Sequence, residues 1–143
     1  MQKGRNSDDF IKENDLQRII RDGDAEILNN YAEELGRRFK DKLRITDKRG
    51  KERSEPELST SQIRNILDEI QRISGKDFQI IKNRLHLLRP KLAYTAGRHG
   101  GRVKEFRKVV EKAITLIEDL NHFRNFRNFI EAIVAYHRYY GGE

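Results

Sequence analysis

Four histidines and a set of adjacent carboxylates are the side chains through which this chain could hold a metal or move protons, and their spacing argues against both. His86, His99, His122 and His137 stand in no H-E-x-x-H or comparable ligand spacing, so no metal is expected. With no cysteine in 143 residues, thiolate zinc sites, disulfides and cysteine nucleophiles are excluded. A helical ribonuclease that places Arg a few residues ahead of its His would need Arg among residues 79–81, 92–94, 115–117 or 130–132, and none is there. The glycines form neither G-x-x-x-x-G-K-[ST] nor G-x-G-x-x-G after a strand. Asp68 with Glu69 and Glu118 with Asp119 are neighbours on helical segments, so each pair points to different sides and cannot share a reacting atom. No enzyme activity and no cofactor are expected.

The chemistry the sequence does supply is cationic. Of the formal charge of +7, residues 1–58 contribute nothing, with 14 basic against 14 acidic residues. Residues 71–108 hold 11 Lys or Arg against Asp77 and Glu105 alone, a local +9. Clustering of this kind is the footprint of a polyanion binder, because each neutralised phosphate releases condensed counterions. A solvated basic face without a partner is the plainer reading of the same count. Aromatic rings between basic residues, as in HFRNFRNF, can stack bases, but Phe123, Phe126 and Phe129 recur at core spacing and are expected to be buried.

Helices must position these residues. Leu16, Ile19 and Ile20 form one apolar cluster, and Ile27, Leu28, Tyr31, Leu35 and Phe39 a second; Gly23 separates them and Asp24 is a candidate N-cap. Ser59 and Gln62 make the S-x-x-Q form of a capping box ahead of Ile63, Ile66, Leu67, Ile70 and Ile73. Phe78, Ile81, Leu85 and Leu88 form a further stripe. Pro90 is expected to break or kink the chain there, with Lys91 to Gly97 opening a new helix. Between Arg102 and Tyr140 the apolar face changes direction near Asn121, so the segment is either two helices or one helix packing against two layers. No strand is expected, since alternation of period two is absent. Residues 44–57 are nearly all charged or turn-forming and read as a mobile linker. The expected architecture is an all-α, compact bundle of about five to six helices. It is read as a single domain over 1–143: N-terminal helices to residue 43, a linker at 44–57 and a helical core from 58 to 143. With 36% hydrophobic against 37% charged residues, no apolar run nears the ~18 that a membrane span needs. The N-terminal MQKGRNSDDFIKEN lacks the apolar centre of a signal peptide, so a cytoplasmic location is expected.

Three stretches combine into something more specific. LSTSQIRNIL at Leu58 to Leu67, LLRPKLAYTAGR at Leu87 to Arg98 and FIEAIVAYHRYY at Phe129 to Tyr140 resemble, in order and separation, the small helical subunit of type III-A CRISPR effector (Csm) complexes. Thr95 stands where that family suggests alanine, and the N-terminal third and the linker lie outside the resemblance. The resemblance implies an all-helical, non-catalytic, antiviral-defence subunit that stacks in several copies along a ribonucleoprotein filament. Its partners would be guide RNA and target RNA, the other effector subunits, and its own copies along the filament, with a homodimer in isolation as a further option. Lys and Arg would then track phosphates while base pairing reads the sequence. The expected contact set is Arg64, Lys82, Arg84, Arg89, Lys91, Arg98 and Arg102. Two other readings stay open: a stand-alone helical DNA-binding module, and a protein-only scaffold whose basic stretch docks on acidic partners.

Overall fold

Asp24 and Ser59 start helices as their surroundings require, in a computed structural model that describes residues 8–143. Residues 1–7 of the N-terminal stretch, part of the case against a signal peptide, lie outside the described residues. Six helices and one hairpin follow in order among the described residues: α1 Glu13–Ile20, α2 Ala25–Phe39, β1 Leu43–Thr46, β2 Glu52–Glu55, α3 Thr60–Gln71, α4 Phe78–His99, α5 Arg102–Ile114 and α6 Leu120–Tyr139. The Asp24 carboxylate accepts from the Ile27 amide. At α3 the reciprocal box is complete: Ser59 Oγ accepts from the Gln62 amide at 3.1 Å, and Gln62 Oε1 accepts from the Ser59 amide at 2.9 Å. Such a cap contributes about 1 kcal/mol.

α6 is the central element, packed chiefly across α2 and α3, while α4 lies mainly on α5 and meets α3 only lightly. Its face change resolves as a true break: α5 ends at Ile114, and Asp119 caps α6 by accepting from the His122 amide at 2.8 Å. Phe126 and Phe129 are fully buried and Phe123 nearly so, which makes the Phe-rich run core rather than a stacking surface. Phe39 sits edge-on to Phe10 and Phe106, with ring centroids 6.4 and 5.7 Å away, and joins the end of α2 to α5. Each such pair is worth roughly 0.5–1.5 kcal/mol beyond its buried area.

Two sequence expectations are corrected. Pro90 does not divide its segment: α4 is one helix of 22 residues. Pro90 lies on its exposed side, where water can satisfy the His86 carbonyl that loses its N–H donor. The segment read as a strandless, mobile linker contains an antiparallel hairpin, with Leu43 opposite Glu55 and Thr46 opposite Glu52. Asp47 Oδ1 accepts from the amides of Arg49 and Lys51, and Gly50 takes φ +77, so the turn is built by an Asx interaction and one left-handed glycine. Only Leu43 and Ile45 offer apolar alternation, too little to predict a strand. A lone two-stranded hairpin is marginal in water, and the α4–α5 corner holds this one at its base. The Gly101 amide donates to Glu55 Oε1 and the Arg102 amide to the Pro56 carbonyl.

Candidate nucleic-acid interface

The side chains of α4 advance ~100° per residue, which divides them into three rows. Ile81, Leu85, Leu88, Leu92 and Ala96 are buried. On one flank of that core face, Lys82, His86 and Arg89 are exposed toward α5. On the other, Ile80, Arg84, Leu87, Lys91, Tyr94 and Arg98 are exposed toward α3. Ion pairs fix the sense of the division: Arg89 Nε donates to Glu111 of α5 at 2.7 Å, whereas Lys91 Nζ donates to Glu69 of α3 at 2.6 Å.

The α5 side is a cationic face. Lys104, Lys108 and Lys112 recur every four residues along the exposed side of α5, about 6 Å apart along the axis. Like charges at this spacing destabilise a helix by some 0.2–0.5 kcal/mol per pair. Arg89 and Arg107 share the single carboxylate of Glu111, so that carboxylate is not spent on the three lysines. Lys108 reaches Asp8 at 2.7 Å and Lys112 reaches Glu13 at 3.6 Å, both at the N-terminal border of the face. Lys82 and Lys104 have no ion pair among the described residues. A cavity of about 430 Å³ opens among Arg89, Arg107, Lys108 and Lys112. None of the exposed large apolar side chains, Ile80, Leu87, Tyr94, Leu120 and Tyr139, lines it.

The expected contact set is therefore dispersed. Lys82 and Arg89 lie on the cationic face; Arg84, Lys91 and Arg98 line a groove between α3 and α4. Arg64 is exposed, but helical geometry turns it to the side of α3 away from that groove. Arg102 is buried, and its Nε and Nη2 donate to the carbonyls of Asp41 and Lys42 while Nη1 donates to Glu105 at 2.7 Å. Glu105 also receives a two-pronged bond from Arg38, at 2.9 and 2.8 Å. Arg102 thus ties α5 to the hairpin base rather than facing solvent.

In the groove, the bond from Lys91, helped by nearby Arg72, holds the Glu69 carboxyl below its usual range. Sequence reasoning passed over Lys104, Arg107, Lys108 and Lys112 as site residues, although the spacing of the three lysines was a visible signal. It also passed over Arg72 and the exposed Leu87 and Tyr94. No group of metal-ligating side chains is assembled among the described residues, and no helix there is long and apolar enough to cross a membrane. A family model described as Csm2 Type III-A matches residues 40–143. None of the curated proteins compared matches the chain.

Proposed function

The chain belongs to the Csm2 Type III-A family of small subunits of the type III-A CRISPR effector complex, and from that premise we propose that it is a non-catalytic, RNA-binding subunit that grips phosphates on its α4–α5 face. Association with other subunits of the complex follows from the family. RNA as the ligand, self-association along a filament and the absence of catalysis are our reading, with residues 1–143 acting as one unit.

The observation that carries it is the gathering of Arg89, Arg107, Lys108 and Lys112 about one cavity with the carboxylates Glu111 and Asp8, extended by Lys82 on the Arg89 flank of α4 and Lys104 on the Lys108 side of α5, without exposed large apolar groups. Phosphates reward such a face: they offset the repulsion along α5 and gain entropy from released counterions. The one aliphatic side chain at this cavity, Ile11, is only partly exposed, so cations dominate what the face can offer. The contacts would touch backbone and not base edges, so affinity should be blind to sequence while pairing of guide and target supplies specificity. Arg84, Lys91, Arg98, Arg64 and Arg102 are left out of this phosphate set because of where they lie.

The test is a titration of duplex and single-stranded RNA with Lys82→Ala and Lys104→Ala chains over a range of salt. Weaker binding for every sequence supports the reading. Unchanged binding, or a preference for one DNA duplex sequence, would sink it.

A further inference from the structure

The α3–α4 flank of α4 is chemically unlike the α5 flank. Ile80, Leu87 and Tyr94 stand seven residues apart and are 52%, 69% and 69% exposed. Seven residues are two helical turns, so the row runs about 21 Å along the helix. Arg84, Lys91 and Arg98 each follow one of these side chains by four residues and form a parallel cationic row. Beside them, α3 and α4 part to leave two cavities of about 340 and 310 Å³, floored by Ile73, Leu88, Ile66 and Leu92. The Lys91–Glu69 ion pair crosses between the two.

We infer that this groove is a docking site for an amphipathic helix of a partner protein, one carrying carboxylates beside an apolar seam. An apolar row with a period of seven is what helix-on-helix packing requires, and it matches no need of a phosphate chain. The parallel row of cations selects the sign of the partner. A second α4 from another copy would set Arg84, Lys91 and Arg98 against their own kind in either orientation, and like charges in register cost affinity. Glu and Asp at matching heptad positions would meet the cations, while Leu or Ile side chains would cover Leu87 and Tyr94 and enter the two cavities. Glu69 occupies Lys91 until the partner's carboxylates compete for it. This inference is independent of RNA binding on the α5 flank.

The experiment uses the full chain and two synthetic helical peptides with the same leucine seam, one flanked by Glu and one by Lys. Fluorescence anisotropy should show the Glu peptide binding about tenfold or more tightly than the Lys peptide. Leu87→Ala combined with Tyr94→Ala should weaken the Glu peptide about tenfold or more. Arg84→Ala, Lys91→Ala and Arg98→Ala together should flatten its salt dependence. All these side chains are exposed, and far-UV circular dichroism checks that each variant folds. Equal binding of the two peptides, or groove variants that bind the Glu peptide as the unchanged chain does, overturns the proposal. So does displacement of the peptide by RNA with loss of RNA affinity in the groove variants, which would make the groove a nucleic-acid site. Light scattering showing a dimer that the groove variants dissolve would instead assign it to a second copy. Because RNA binding is judged on Lys82→Ala and Lys104→Ala, the two readings fail separately.

Discussion

A Cβ placed on Gly36 of α2 would lie 2.6 Å from the backbone nitrogen of His137 on α6. The two helices cross there almost backbone to backbone, and Tyr136 closes the remaining space. Gly36→Ala must therefore push α2 off α6. Overpacking a well-filled site costs typically about 1–3 kcal/mol, and the lower bound should be exceeded here because backbone atoms cannot swing aside. Urea denaturation would show the loss as a lower midpoint at constant slope.

His137 links pH to stability. Its ring is buried, Nε2 lies 2.6 Å from the Leu58 carbonyl oxygen and so carries the proton, and Nδ1 has no partner among the described residues. Burial holds its pKa below the ordinary 6.5. The unfolded chain then binds a proton that the folded chain refuses, so stability is complete above about pH 6.5 and falls as the pH drops toward the folded value. The slope within that window approaches ~1.4 kcal/mol per pH unit at most. His137→Gln keeps a donor toward Leu58 and removes the titration. Its midpoint should change little between pH 7.5 and 5.5, whereas the unchanged chain should lose stability.

Arg102 should behave as a structural residue. Arg102→Ala strips donors from the Asp41 and Lys42 carbonyls and leaves Glu105 to Arg38 alone. A loss of about 3 kcal/mol is expected, in line with breaking a buried charge pair. Arg102→Lys should recover little, since an ammonium cannot reproduce the fork. RNA affinity measured on the folded fraction should stay the same; a drop there would return Arg102 to the phosphate set.

For the cationic face, the slope of log K against log salt is the sharper readout. Each lost phosphate contact should make it shallower by roughly 0.7–0.9. Lys82→Ala with Lys104→Ala should therefore flatten it by about twice that, and charge-preserving Lys→Arg at both positions should restore it.

Much of the helical plan was legible because local signals agreed with the tertiary outcome. Asp24, Ser59 and Gln62 cap helices where their spacing says they should, and the turn of the apolar face near Asn121 marks the break before α6. The misses have physical causes. Pro90 removes one hydrogen bond, but on an exposed side that loss is small against the packing of Leu85, Leu88 and Leu92 on either side of it. Residues 43–55 lack strand patterning because their order comes from Gly101 and Arg102, almost 50 residues downstream. The charge of Arg102 gave no hint of burial, since only its carbonyl and Glu105 partners reveal it. On α4 the buried stripe concealed a second apolar row, Ile80, Leu87 and Tyr94, lying beside it.

Pro90 gives one more measurable outcome. Pro90→Ala restores an N–H toward the His86 carbonyl within an unbroken helix, and should raise the thermal midpoint. A lower midpoint would mean that the ring itself stabilises α4.

The family match starts at residue 40, directly after α2 ends at Phe39. Yet α6, deep inside the matched region, makes its broadest packing with α2. The segment that carries the family's signature therefore leaves out a helix that packs on it. A piece spanning only the matched residues would bare the α2-facing side of α6 and the close approach at Gly36.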